Sequence, residues 1–218
     1  MIPVKAVDAP ADFDIRVRQR GLAAIAELVG EPTKSRRGPK RKNTWPTRDA
    51  IPAEAFPPYW RDVLPDMLAA YNHLCAYLAL YIHPATGNAT VDHVIPKSKA
   101  WDRVYEWSNY RLASGLINSK KSDFDLALDP FAIEGDWFEL ELVEFQVTPA
   151  AALDVAGRSK VAETIEVLGL NRRDCCAERR RYAEWYESGE IDLKHLERCA
   201  PFVALELRRQ GGLVRGDK

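Results

Sequence analysis

The feature that most constrains this chain is a short apolar segment that carries a carboxylate and an imidazole side by side. Asp92 and His93 lie between Val91 and Ile95, and Pro96 follows directly. Branched apolar residues favour a strand, and proline lacks the N–H that would continue one. Because neighbouring side chains on a strand face opposite ways, the strand must twist or bend if both groups serve one site. The segment therefore predicts a strand that ends in two reactive groups.

Two asparagines follow this strand in the sequence. Their spacing fits the element order strand, loop, strand and helix. Asn109 precedes a short alternating strand at residues 110–112, and Ser114 can cap the helix after it. Asn118 and Lys121 lie about one turn apart on that helix. A carboxylate beside an imidazole, with a distant amide oxygen, can hold one divalent cation and activate a water against a phosphodiester. The spacing therefore predicts a ββα unit with a hydrolytic site.

Taken in order, these residues resemble the motif of the HNH, or ββα-metal, nucleases. The resemblance implies that His93 is the general base that deprotonates the attacking water. It implies that Asp92 and Asn118 ligate the metal. Asn109 would hold the loop between the strands, and Lys121 would lie near the substrate phosphate. Each residue alone is more often structural, as a surface pair, a turn residue or a helix-surface amide, so the ordered set carries the resemblance.

Both implied metal ligands, Asp92 and Asn118, offer oxygen atoms. Oxygen ligands completed by water and phosphate suit magnesium or manganese, so we expect one Mg²⁺ or Mn²⁺ ion as the cofactor. Many HNH proteins also hold a structural zinc through two C-x-x-C pairs. Of the four thiol positions only Cys75 remains, so no structural zinc is expected, and Cys75 is predicted to be a small buried side chain.

Basic residues near the motif, and a basic run before it, are the candidates for nucleic-acid contact. Beside the motif they are Lys97, Arg111 and Lys120; in the run they are Lys34, Arg36, Arg37, Lys40, Arg41 and Lys42. A run of this kind is either a solvated linker or an arm that follows a nucleic-acid backbone, and the sequence leaves both interpretations open. The net charge of −1 means that any basic surface is local or that a partner supplies it.

The flanking sequence predicts helices on both sides of the motif, which covers about residues 89–123. Helices are expected at residues 22–29 and 65–82, a strand at 138–142, and further helices at 159–168, after a cap at Asn171, and near 201–209. The predicted fold class is α+β and mostly helical, with a ββα-metal HNH core between N- and C-terminal helices. The predicted segments are 1–60 with the basic linker at about 33–48, 61–150 with the nuclease core and an acidic hairpin region, and 151–218 with the C-terminal helices.

The resemblance implies a metal-dependent endonuclease that hydrolyses phosphodiester bonds in DNA. Outside the motif, residues 1–4, 164–171 and 179–182 are similar to bacterial HNH proteins of the Septu and retron anti-phage type, in which an HNH subunit works with an ATPase. DNA and an ATPase subunit of a bacterial anti-phage defence system are therefore the expected partners. The alternatives are a non-cleaving HNH-fold module that binds nucleic acid or a partner, an RNA-cleaving nuclease, and a secreted toxin.

The cysteines and the apolar runs bear on the compartment. The four cysteines form no C-x-x-C pair, so they indicate neither a zinc ribbon nor a disulfide framework. The first residues lack the apolar stretch of a signal peptide, and no apolar run approaches membrane-spanning length. We therefore expect a cytoplasmic protein without a membrane partner.

Overall fold

The computed structural model describes residues 1–33, 44–126, 128–133 and 135–217. The basic-run residues Lys34, Arg36, Arg37, Lys40, Arg41 and Lys42 lie outside the described residues, so both interpretations of that run stay predictions. None of the described helices combines the length and the apolar character that crossing a membrane requires.

Seven α-helices and two small antiparallel sheets make up the described part of the chain, which is an α+β fold. The helices are α1 (Gln19–Leu28), α2 (Leu64–Ala70), α3 (Gly115–Lys121), α4 (Val155–Leu168), α5 (Arg173–Glu187), α6 (Leu193–Cys199) and α7 (Pro201–Arg209). The strands are β1 (Ala89–His93), β2 (Tyr110–Ser114), β3 (Phe138–Leu140) and β4 (Val147–Pro149). β1 pairs with β2, and β3 pairs with β4.

The strands β1 and β2 pair in a register that places His93 opposite Tyr110. α3 begins directly after β2, and the Ser114 hydroxyl accepts a hydrogen bond from Ile117 N at 3.5 Å, which is the cap that the sequence predicts. α3 contacts both strands. The chain here therefore runs strand, loop, strand and helix, with β1 lying against α3.

The helix predicted at residues 65–82 is wrong beyond its first third, because α2 ends at Ala70. Asn72 and His73 follow with φ values of 50° and 60°, which a right-handed helix does not contain. Of the apolar side chains that suggested a long helical stripe, Tyr71, Cys75, Leu78 and Ile82 are buried in the segment that follows α2 instead. A spacing of three and four residues between apolar side chains indicates that they are buried, but it does not fix the backbone conformation. Here tertiary contacts determine that conformation.

The segment after α2 folds back on itself and bonds to β2. Cys75 N donates to Leu80 O at 2.9 Å, and Ala76 N donates to Leu112 O at 2.8 Å. Cys75 is 1% exposed and its thiol is free, as the sequence predicts for a small buried side chain. Backbone hydrogen bonds and apolar contacts therefore hold this turn against the strand.

Two details of the C-terminal helices differ from the sequence prediction. Asn171 does not cap α5: its side chain accepts from Val147 N at 2.7 Å and donates to Val147 O at 2.9 Å, which ties β4 to the start of α5. The N-cap of α5 is Arg172, without a side-chain cap. The helix α6 was not predicted, although Asp192 caps it by accepting from His195 N at 2.7 Å.

One cluster of buried apolar side chains draws on all three predicted segments. It includes Val17 from the first, Leu112 from the second, and Leu168 and Phe202 from the third, each at most 1% exposed. Burial on this scale is the main stabilising contribution to folding. The described helices on both sides of β1, β2 and α3 therefore share one core with that unit.

Candidate functional site

A pocket of about 180 Å³ lies between the end of β1 and α3. Asp92, His93 and Asn118 line it, and so does Lys97 from the loop after β1. These groups meet because β1 packs directly against α3. The structure therefore gathers four of the predicted site residues around one space.

Asp92 is 2% exposed, and both of its carboxylate oxygens have partners. The Tyr77 hydroxyl donates to Oδ2 at 2.5 Å, and Lys121 Nζ lies 3.2 Å from Oδ1. Burial raises the pKa of the Asp92 carboxyl from its ordinary value, while the Lys121 charge and the Tyr77 hydrogen bond act in the opposite direction. Burial and the Asp92 charge raise the pKa of Tyr77, so the phenol stays a donor. Two donors thus fix the orientation of this carboxylate.

Lys121 lies behind the carboxylate rather than in the pocket. Its side chain is 0% exposed, and Nζ donates to the His93 carbonyl oxygen at 2.6 Å as well as contacting Asp92. This placement corrects the predicted contact with the substrate phosphate, because the ammonium would have to leave two buried partners to reach solvent. Lys121 instead offsets the negative charge of Asp92 and joins the end of α3 to β1.

His93 is held as a neutral imidazole with one nitrogen committed. Nε2 lies 3.0 Å from the Val104 carbonyl oxygen. A carbonyl oxygen only accepts hydrogen bonds, so Nε2 carries the proton and Nδ1 keeps its lone pair. Burial lowers the pKa of His93 to about 3, and the positive charge of Lys97 adds to the effect. The ring is therefore unprotonated at Nδ1 at neutral pH.

Aromatic side chains fix the orientation of the His93 ring. The Trp60 ring meets it edge-on with centroids 4.8 Å apart, and the Tyr110 ring does so at 5.1 Å. The Tyr110 hydroxyl donates to the same Val104 carbonyl oxygen, at 2.9 Å. Packing on two sides and a shared acceptor leave the imidazole little freedom to rotate.

Asn109 ties together the loop between β1 and β2. It is 3% exposed, and its Oδ1 accepts from Ile95 N at 2.8 Å. Its Nδ2 donates to Ile95 O and to Arg103 O, both at 3.0 Å. Buried backbone groups need such partners, so this one side chain satisfies three of them. It fixes the loop that carries Lys97 into the pocket.

Asn118 reaches from α3 towards β1. Its Nδ2 donates to Thr90 Oγ1 at 3.1 Å and to Val91 O at 3.4 Å. Its Oδ1 accepts no hydrogen bond from the described residues. The amide oxygen, which is the atom able to coordinate a cation, therefore remains available in the side chain that lines the pocket.

The donors in the pocket fit a hard divalent cation. Asp92 and Asn118 offer oxygen, and each carboxylate oxygen has a second lone pair beyond the one used by Tyr77 or Lys121. The Lys121 charge reduces the attraction that Asp92 alone would exert on a cation. Among the described residues, no group of three or more His, Cys, Asp or Glu side chains is arranged to hold a metal. Asp92 and Asn118 are the side chains of the pocket whose oxygen atoms fit such an ion.

Arg111 is buried, which corrects its predicted role in nucleic-acid contact. It is 3% exposed, and its Nε and Nη2 donate to the two carboxylate oxygens of Asp129 at 2.7 and 2.5 Å. Its Cζ lies 3.6 Å from the centre of the Phe131 ring. A guanidinium engaged by a carboxylate in this way is not free to bind phosphate. Arg111 instead anchors the segment after α3 to β2.

Lys97 and Lys120 have positions that suit contact with nucleic acid. Lys97 lines the pocket, and its Nζ lies 4.5 Å from the centre of the Trp60 ring. Lys120 is exposed on α3. Neither lysine forms an ion pair within the part of the chain that the structure describes. Both charges are therefore available to an anionic partner.

The residues that line the same pocket and were not predicted as site residues include Trp60, Arg61 and Asp123. Trp60 and Arg61 belong to the short helical turn Tyr59–Val63, far before the motif, and no spacing rule connects the two regions. Asp123 comes two residues after Lys121, at the start of the acidic region. Its closeness to the motif in the sequence was the one signal that could have identified Asp123 as a pocket residue.

Comparison with known proteins assigns no family to the chain. No protein-family model matches it, and a search of curated proteins gives no match. The geometry of the pocket and the resemblance of its ordered residues to the HNH motif are therefore the basis for considering function.

Proposed function

We propose that this protein is a metal-dependent endonuclease that hydrolyses phosphodiester bonds in DNA. The observation that carries the proposal is the pocket in which Asp92, a neutral His93 and Asn118 lie together. Hydrolysis of a phosphodiester needs a base that activates water and ligands that hold a cation near the phosphate. The resemblance of these residues, in their order, to the HNH motif supports the same activity.

In this proposal His93 takes the proton from the attacking water at Nδ1. The Nε2 proton is committed to the Val104 carbonyl oxygen, which also stabilises the positive ring that forms. Burial lowers the pKa of His93 to about 3 and so keeps the ring unprotonated before the reaction. The Trp60 and Tyr110 rings keep Nδ1 in one orientation.

Asp92 and Asn118 would hold one Mg²⁺ or Mn²⁺ ion. When bound, the cation would stabilise the negative charge that develops on the phosphate. Tyr77 and Lys121 orient the Asp92 carboxylate. Since only two side chains of the protein are ligands, we expect the ion to bind weakly until the phosphate of a substrate completes its coordination.

The ion pair of Lys121 and Asp92 favours a second candidate function, a module that binds nucleic acid or a protein partner without cleaving. A carboxylate that a buried ammonium already neutralises attracts a cation less strongly than a free one. The two candidates differ in one outcome. A nuclease cleaves when supplied with magnesium or manganese, and a binding module retains affinity without cleavage.

A nicking assay on plasmid DNA tests the nuclease, with magnesium, manganese, zinc or EDTA present and with an RNA substrate in parallel. We expect cleavage with magnesium or manganese, and a rate at least ~100-fold lower in His93→Ala because a general base contributes that much. His83→Ala, at an exposed histidine outside the pocket, is the control. Thermal melts report whether each variant folds.

Four outcomes, of cleavage and of DNA binding, would change the proposal. Unchanged cleavage by a folded His93→Ala protein would remove the proposed base. Activity with zinc alone would mean that the ligands are misassigned. Cleavage of RNA in preference to DNA would make the protein a ribonuclease. DNA binding without cleavage in any metal would favour the binding module.

We also propose that the protein acts in the cytoplasm with an ATPase subunit of a bacterial anti-phage defence system. This part rests on the similarity of residues 164–171 and 179–182 to Septu and retron-type HNH proteins. Mass spectrometry of material that co-purifies with the intact chain from its native host tests it. The intact chain is needed because the C-terminal helices share the core with the rest of the protein. Recovery of no ATPase would contradict the partnership.

A further inference from the structure

The mouth of the pocket carries two cationic side chains, Arg61 and Lys97. Both line the pocket that also contains Asp92 and His93. Arg61 follows Trp60 in the helical turn, and the Trp60 ring lies under the Lys97 ammonium at 4.5 Å. Trp60 thus connects the two cations, because it is the chain neighbour of one and the ring contact of the other.

Arg61 is exposed and is not engaged by any acid in the described part of the chain. Its chain neighbour Asp62 pairs with Arg20 instead, at 2.7 Å. Two other arginines of the first helical region are also paired, Arg16 with Asp66 and Arg18 with Glu106. Against this background of paired arginines, Arg61 has its full set of donors available.

The two cations at the mouth affect each other. Burial lowers the pKa of Lys97, the Arg61 charge lowers it further, and Asp123 and Glu54 act in the opposite direction. Two positive groups close enough to interact repel each other, and an anion held between them relieves that repulsion. The planar guanidinium of an arginine can donate two parallel hydrogen bonds to phosphate oxygens, and a lysine adds a compact charge.

We propose that Arg61 and Lys97 bind the scissile phosphate of a nucleic-acid substrate. They take the role that the HNH resemblance gave to Lys121, whose ammonium is buried against Asp92 and the His93 carbonyl oxygen. This inference rests on the proposed nuclease function, and it adds a phosphate-binding residue that lies outside the motif. A phosphate at the mouth of the pocket would lie beside His93, so that the water activated by His93 could attack it.

Fluorescence anisotropy of a labelled DNA duplex, measured in EDTA over a series of salt concentrations, tests the phosphate site without requiring cleavage. The proteins are wild type, Arg61→Ala, Arg61→Lys and Arg158→Ala. Arg158 is an exposed arginine on α4 that does not line the pocket. Cleavage rates with magnesium or manganese are measured on the same four proteins.

We expect Arg61→Ala to weaken DNA binding by ~10-fold and to reduce the slope of log affinity against log salt by about one, because one charged phosphate contact is lost. Arg61→Lys is expected to restore the slope but only part of the affinity, since it keeps the charge and loses the paired donors. Arg158→Ala is expected to change neither quantity, and the cleavage rate is expected to follow the Arg61 affinities.

The outcomes separate this inference from the nuclease proposal. Wild-type affinity and slope in Arg61→Ala, or a loss no greater than that of Arg158→Ala, would overturn the phosphate site, and so would a wild-type protein that does not bind DNA. Cleavage lost in His93→Ala but unchanged in Arg61→Ala would keep the nuclease and overturn the phosphate site. Weaker binding by Arg61→Ala in a protein that never cleaves would support the phosphate site and overturn the nuclease.

Discussion

Lys121 and Asp92 form an ion pair that almost no water reaches, with side chains 0% and 3% exposed. Removing one partner of a buried pair leaves the other charge uncompensated, which costs about 3–5 kcal/mol. We therefore expect Lys121→Met to lower the free energy of unfolding by that amount, measured by urea titration at neutral pH. A Lys121→Met protein as stable as the wild type would instead fit an ammonium that faces the substrate.

Two controls separate the uncompensated charge from lost packing. Adding Asp92→Asn to Lys121→Met removes the charge, and we expect it to restore part of the stability. In the single variant the pKa of Asp92, already raised by burial, rises further, so the folded state keeps a proton that the unfolded chain releases. Its stability should therefore increase as the pH falls towards the pKa of the unfolded carboxyl.

The position of Lys121 was in part readable from the sequence. It comes four residues after Ile117, which is 0% exposed, and helical spacing places both side chains on the inward face of α3. Arg61 offered no such signal, because its place at the pocket depends on how a distant turn packs. The ordered motif predicted Asp92, His93 and Asn118, which line one pocket. The other side chains around that pocket could be identified only from the tertiary structure.

At the scale of elements, the loop between β1 and β2 depends on Asn109. Asn109→Ala would remove three part-buried hydrogen bonds to the backbone of Ile95 and Arg103. A hydrogen bond of this kind contributes about 1 kcal/mol net, so we expect the loss of all three to lower the free energy of unfolding by about 3 kcal/mol. Ser108→Ala, at the exposed neighbouring residue, is the matched control, and urea titration of both variants measures the difference.

The same variant has a functional consequence because the loop carries Lys97 and the carbonyl of Val104. We expect faster hydrogen exchange in residues 94–109 of Asn109→Ala and slower DNA cleavage under conditions where the protein is still folded. If hydrogen exchange in this loop of Asn109→Ala were as slow as in the wild type, Asn109 would not be the residue that holds the loop in place. The elements β1, β2 and α3 were predictable: β1 from an apolar segment that proline ends, β2 from alternation and α3 from its serine cap. The turn after α2 was not, because its apolar spacing is the same as that of a helix.

At the scale of the whole molecule, the described helices and strands share one apolar core. We expect EDTA to change the melting temperature by less than about 2 °C, which for a chain of this size is under ~1 kcal/mol, while it abolishes DNA cleavage. Differential scanning calorimetry and the nicking assay on the same sample measure both. A larger drop that zinc reverses would show that a metal holds the fold.

The way in which the turn from Cys75 to Leu80 is held affects how metal binding to this protein can be measured. Where thiolates and zinc staple two parts of a fold, stripping the ion unfolds the protein, and an affinity measured afterwards includes the free energy of refolding. Here the hydrogen bond from Ala76 N to Leu112 O joins the turn to β2, and the one from Cys75 N to Leu80 O closes the turn. We therefore expect the metal-free protein to be folded, so that a calorimetric titration can report the intrinsic affinity for magnesium, first alone and then with an uncleavable duplex.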